Sequence, residues 1–124
     1  WRWPAKGKVV TNFFSAKADS KGIDLSGKKG DSVTAAASGT IVYAGSGLRG
    51  YGKLIIIKHN DTYLSAYAHN NRIRVKEGQK VKVGQHIADI GLSGSRANIP
   101  KLHFEIRRNG QSVNPLTYLP KRNI

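Results

Sequence analysis

Near the C-terminus, Leu102, Phe104 and Ile106 alternate with Lys101, His103, Glu105 and Arg107. A period of two marks a strand with one face on a core and the other face open, so Lys101 and His103 must point the same way. A second unit runs from Leu54 through Ile55, Ile56, Ile57 and Lys58 to His59, passes Asn60-Asp61, and continues from Thr62 to His69. Two strands joined by a short turn account for it. Regular alternation in the later strand puts Leu64, Ala66 and Ala68 on one face and Tyr63, Ser65, Tyr67 and His69 on the other, which makes the face of His69 polar and aromatic.

Gly30-Asp31-Ser32-Val33 followed by Gly39-Thr40-Ile41-Val42 is echoed by Gly78-Gln79-Lys80-Val81 followed by Gly84-Gln85-His86-Ile87. Such Gly-x-x-Val hairpins build compact β folds. Biotinyl and lipoyl carrier domains use them too, but their modified Lys follows a Met at the hairpin tip, and this chain has no Met. No stretch of useful length has a helical period. With 14 Gly and 4 Pro punctuating short apolar runs, the pattern predicts a mainly β chain, a compact antiparallel sheet or sandwich. A length of 124 residues suits one domain, residues 1–124, with a single core.

Charge changes the picture more than composition does. Lys and Arg number 21 against 7 Asp and Glu, a net charge of +14, so an anionic partner surface is attractive on electrostatic grounds. Nucleic acid is one such partner, but no recognised reading element is present, and charge alone gives only non-specific, salt-sensitive binding. There is no Cys, so redox compartment is not constrained. No run approaches the roughly 18 apolar residues of a membrane span, and no signal peptide is evident. The chain begins at Trp1, which is expected of a domain excised from a longer or processed protein whose targeting information lies upstream.

Gly45, Gly47 and Gly50 match the dinucleotide fingerprint G-x-G-x-x-G. That motif is informative only where a helix begins on it, and here Tyr51 to His59 continues as a strand. A glycine-rich loop between strands is the better reading, with Arg49 and Tyr51 displayed beside whatever groove lies near. The remaining chemistry is in three separated pieces: Ser20-Lys21-Gly22-Ile23-Asp24, Tyr67-Ala68-His69, and Lys101-Leu102-His103-Phe104-Glu105-Ile106.

With Trp3-Pro4, Gly50-Tyr51-Gly52, Gly78-Gln79, Gly84-Gln85 and Asn114-Pro115, these pieces resemble the LytM-type M23 metallopeptidases along nearly the whole chain. The resemblance implies their duplicated hybrid motif, with long loops around a groove. Active members hold zinc with a His four residues before an Asp, that Asp, and the second His of an H-x-H strand. Carried onto this sequence, the ligand positions are Ser20, Asp24 and His103, and the two catalytic histidines fall on His69 and Lys101. Two of the five positions have therefore changed. A catalytic zinc needs about three protein ligands and an open water position. Ser is a poor substitute for imidazole, and Lys101 places a fixed positive charge where the dication would sit. Asp19 is a conceivable substitute ligand, but it would not restore what is lost at Lys101. Without a metal there is no acidified water. We expect no bound metal, no cofactor and no catalysis, and we expect Lys101 to pair with Asp24.

Within the family the pattern is similar to the degenerate LytM domains of amidase-activator lipoproteins. That similarity carries the runs Leu48-Arg49-Gly50-Tyr51-Gly52, Ile55-Ile56-Ile57-Lys58-His59-Asn60 and Tyr67-Ala68-His69-Asn70. It implies a periplasmic zinc-dependent N-acetylmuramoyl-L-alanine amidase as partner, activated for septal peptidoglycan cleavage when the old groove takes up its regulatory segment. It also implies a periplasmic location, with membrane contact only through an upstream lipid anchor to the outer membrane. The groove expected from the sequence comprises Ser20, Asp24, Arg49, Tyr51, Tyr67, His69, Lys101 and His103. The alternatives are a peptidoglycan-binding module using the same groove, and an active zinc endopeptidase.

Overall fold

A computed structural model describes residues 1–13, 21–94 and 98–122. Ten strands make up nearly all of its regular structure. They are β1 (Val9–Thr11), β2 (Ile23–Ser26), β3 (Ser32–Thr34), β4 (Gly39–Gly45), β5 (Lys53–Lys58), β6 (Tyr63–Ile73), β7 (Lys80–Val81), β8 (His86–Ile90), β9 (Lys101–Arg108) and β10 (Gln111–Val113). A single 3-10 turn, Pro115–Thr117, is the only helical element among the described residues. The strands form one antiparallel sheet in the order β1-β2-β9-β6-β5-β4-β7, with β10 beside β9 and a β3–β8 pair joined to the far end of β6.

Local chemistry accounts for the turns. Asn60 bends the β5–β6 connection because its side-chain oxygen accepts from the backbone N–H of Thr62 and of Tyr63, at 2.9 and 2.8 Å, the capped turn expected of Asn. The Gly-x-x-Val echo is an echo of turns. Gly30, Gly78 and Gly84 occupy positive φ, where a Cβ is unfavourable. The following residue closes each turn twice: its N–H donates to the carbonyl of Lys28, Lys76 or Lys82, and its side chain accepts from the N–H of that same Lys.

One face of the sheet carries the main core. Ile23, Leu25, Ile55, Ile57, Leu102, Phe104 and Ile106 are fully buried there, and Val33, Ile87, Ala88 and Ile90 of the β3–β8 pair belong to the same cluster. The opposite face stays open over most of its area and carries only a small second cluster.

The long strand β6 departs from the simple alternation. Ala66 and Ala68 are opposite Glu105 and His103 on the open face, whereas Tyr67 is opposite Phe104 and points into the core. Tyr67 is 0% exposed, its hydroxyl accepting from Ala36 N–H at 2.9 Å and lying 2.7 Å from Ser65 Oγ. Its expected place in the groove is therefore corrected: the ring is a core side chain. His69 does not follow Tyr67 to that side. Its backbone turns left-handed, φ +68°, and the register slips between Asn70 and Arg72. The side-chain alternation is broken there, and the ring is delivered to the open face beside His103.

Candidate functional site

The open face of β2 and β9 carries a chain of alternating charges. Asp24 lies opposite His103, and Ser26 opposite Lys101. Lys101 Nζ donates to Asp24 Oδ2 at 3.2 Å, and His103 Nδ1 donates to Asp24 Oδ1 at 2.8 Å. His103 Nε2 donates to Glu105 Oε2, also at 2.8 Å. Arg107 closes the far end, with Nε and Nη2 on Glu105 Oε1 at 3.0 and 2.8 Å and Nη2 on the Tyr51 hydroxyl at 3.2 Å. The expected ion pair between Lys101 and Asp24 is present.

The protonation states follow from this geometry. A carboxylate oxygen only accepts, so a ring with a carboxylate at each nitrogen is an imidazolium donating twice. Burial would lower the pKa of His103, but its bonds to Asp24 and Glu105 and their charges outweigh it and raise it to about 9. Burial likewise works to raise Asp24, but the His103 bond and charge, joined by Lys101, hold it down at about 2. Glu105, wholly buried, is kept below the usual carboxylate range by His103 and Arg107 against the same desolvation. His69 behaves oppositely. Its Nδ1–H donates to the Ser93 carbonyl at 2.7 Å, and burial first, then the neighbouring His103 and Lys101 charges, push its pKa down. It is the neutral ring of the pair.

This arrangement does not fit zinc. Both nitrogens of His103 carry protons committed to carboxylates, both oxygens of Asp24 are engaged, and an ammonium stands 3.2 Å from one of them. A zinc ligand must instead offer a lone pair. Among the described residues no group of three or more His, Cys, Asp or Glu is placed to hold a metal ion. Ser20 and Asp19 lie outside the described residues.

Asp24, His69, Lys101 and His103 are brought together, and Tyr51 joins them, its ring 6.2 Å from that of His103. Burial first, then Glu105, raises the pKa of its hydroxyl. Arg49 is exposed on the loop between β4 and β5 and has no ion-pair partner among the described residues. Glu105 and Arg107 are the members that sequence reasoning left out. Their positions two and four residues after His103, on the face already assigned to it, were the available signal.

Residues 18–115 match Peptidase family M23, and the chain belongs to that family. Its relatives narrow the class. The chain is 59% identical over 122 residues to "Lipoprotein NlpD/LppB homolog" of Pseudomonas aeruginosa, covering 98% of this chain and 40% of that protein. It is 57% identical, again over 98% of this chain, to "Murein hydrolase activator NlpD" of Escherichia coli, of which it covers 32%. The chain thus spans about a third to two-fifths of the curated relatives it matches. Among solved structures, Helicobacter pylori Csd3 superposes with a TM-score of 0.85 at 28% identity, covering 98% of this chain and 35% of that one.

Proposed function

We propose that this chain is a non-catalytic activator of a periplasmic zinc-dependent N-acetylmuramoyl-L-alanine amidase. The relatives named murein hydrolase activators support the role. The observation that carries the absence of catalysis is the internal neutralisation of the site: Lys101 and His103 occupy both oxygens of Asp24. A cluster whose charges and hydrogen bonds are already satisfied has little to offer a reacting centre, but it makes a rigid wall for a docked segment.

In this reading residues 1–124 act as one unit. The groove bounded by Asp24, Arg49, Tyr51, His69, Lys101 and His103 receives the amidase's regulatory segment and draws it from the amidase's own zinc site. Activation is then a population shift, which requires tighter binding to the open amidase than to the closed one. The outcome is septal peptidoglycan cleavage and daughter-cell separation. The lipoprotein names of the relatives support a location at the outer membrane, facing the periplasm.

Dye-labelled sacculi incubated with the chain, a purified amidase, or both provide the test. We expect release only with both, and no zinc at stoichiometric level in the purified chain. Release by the chain alone that a chelator abolishes would establish an endopeptidase instead.

A further inference from the structure

Three segments of the chain, residues 51–53, 69–71 and 91–94, cross beside the groove. Their backbones approach so closely that side chains are excluded at the crossing. A Cβ on Gly52 would stand 2.2 Å from the Ser93 carbonyl oxygen, and one on Gly94 would stand 2.4 Å from the Gly52 nitrogen. Ser93 joins the three segments. Its Oγ donates to the Asn70 carbonyl at 2.6 Å and accepts from the Lys53 N–H at 3.1 Å, while its own carbonyl accepts from His69 Nδ1–H at 2.7 Å. Two further bonds follow the same seam: the His69 N–H donates to the Tyr51 carbonyl at 2.9 Å, and Asn70 Nδ2 donates to the Lys53 carbonyl at 3.0 Å. Tyr51 and His69, which bound the groove, are therefore held by one clasp.

Unfavourable features collect at the same place. His69 holds a φ of +68°, and the pairing register slips between Lys53 and Ile55 and again between Asn70 and Arg72. Asn70 Oδ1 is the one buried side-chain polar atom without a hydrogen-bond partner among the described residues. Each of these costs free energy, and such costs persist only where surrounding contacts fix the geometry. The Ser93 bonds are contacts of that kind. They also set the chemistry of the ring. A carbonyl oxygen only accepts, so the bond to Ser93 puts the proton of the neutral His69 ring on Nδ1 and leaves the lone pair on Nε2. Nε2 has no hydrogen-bond partner among the described residues, whereas both nitrogens of His103 and both oxygens of Asp24 are engaged.

We propose that Ser93 is a positioning residue for amidase activation: by tying residues 51–53 and 91–94 to the end of β6, it fixes Tyr51 and His69 relative to one another and presents His69 Nε2 as an unprotonated acceptor for a hydrogen-bond donor of the amidase segment. This rests on the activator reading above and adds to it how the groove is held in shape. Ser93 acts through His69 and Tyr51, and its hydroxyl is committed to bonds within the chain. A wall fixed before the partner arrives loses little conformational freedom on binding, which is where preorganised contacts gain affinity.

The test follows the His69 ring by nitrogen NMR and measures amidase binding for the unmodified chain and for four variants whose folding is verified by thermal melts. The unmodified chain should show a single neutral His69 tautomer, protonated on Nδ1. Ser93→Ala keeps the carbonyl but loses the hydroxyl that anchors it, so it should give a mixture of tautomers and weaken amidase binding at least about tenfold, equivalent to about 1.4 kcal/mol. Ser93→Thr, which retains a hydroxyl, should restore both. Tyr67→Phe, which loses buried hydrogen bonds in the core, and Ser32→Ala, at an exposed position of β3, should change neither. An unmodified chain with the His69 proton on Nε2 would overturn the proposal whatever the variants do. A folded Ser93→Ala chain that keeps the single tautomer, or that loses it and still binds the amidase like the unmodified chain, would overturn it too. An equal loss of binding in Tyr67→Phe would overturn it by making the effect one of stability alone. The tautomer is read without amidase, so an unmodified chain that activates no amidase would bring down the activator reading separately, while the tautomer of Ser93→Ala still decides whether the clasp holds His69.

Discussion

His103 shows how completely the neighbours of a side chain set its chemistry. With a carboxylate on each nitrogen it is a cation held at a pKa of about 9, and that gives the fold a pH dependence of definite sign. A His whose pKa is raised by folding contributes stability fully present below its unfolded value near 6.5 and lost as pH rises toward 9. His59 and His69, both lowered chiefly by burial, contribute stability present above 6.5 and lost as pH falls through their folded values. Asp24, lowered to about 2, adds stability present above its ordinary 3.8 and lost below it. Denaturant melts should therefore be most stable near pH 6.5. His103→Phe should abolish the decline between pH 6.5 and 9, and a decline of unchanged size in that variant would refute the assignment. The variant should also be less stable at neutral pH by about 3–5 kcal/mol, because it leaves Asp24 and Glu105 short of a partner in a buried site.

At the scale of the element, β6 shows what one dihedral angle can do. Strict alternation would send His69 into the core with Tyr67; the left-handed turn at His69 sends it to the open face instead. A positive φ at a non-glycine residue costs on the order of 1–3 kcal/mol, and is worst for β-branched side chains. His69→Asn should accordingly fold nearly as well as the unmodified chain, whereas His69→Val should lower the melting temperature by several degrees. Tyr67 gives the complementary prediction. Tyr67→Phe leaves the Ala36 N–H without its buried partner and Ser65 Oγ with His59 Nε2 in place of two partners, so stability should fall by about 1–3 kcal/mol while amidase activation per folded molecule stays the same. A selective loss of activation would return Tyr67 to the groove.

Across the whole molecule, charge is sorted by depth. Asp24, Asp89 and Glu105 are buried and paired with cations, so the exposed acids among the described residues are only Asp31, Asp61 and Glu77, and most surface cations have no nearby carboxylate. Association with anionic sacculi should weaken steeply as salt rises from about 0.05 to 0.5 M, because the Debye length falls from roughly 14 Å to roughly 4 Å over that range and screens the exposed charges. Sacculus binding that stays flat across that range would argue against an electrostatic contact.

Much of this was legible in the sequence because strand alternation and turn glycines are local. The β5–β6 hairpin, the common face of Lys101 and His103, and the glycine-rich loop at Gly45–Gly50 follow from spacings of two to six residues. The pairing of Lys101 with Asp24 was legible too, as simple charge compensation at two positions that family resemblance had brought together. Three features depended on contacts distant in sequence or on a single backbone angle. These are the burial of Tyr67 against Phe104, the reversal at His69, and the crossing of three segments at Ser93. Alternation states which residues share a side of one strand. Only the register between strands, fixed by the assembled sheet, states which side is covered and which rows lie edge to edge.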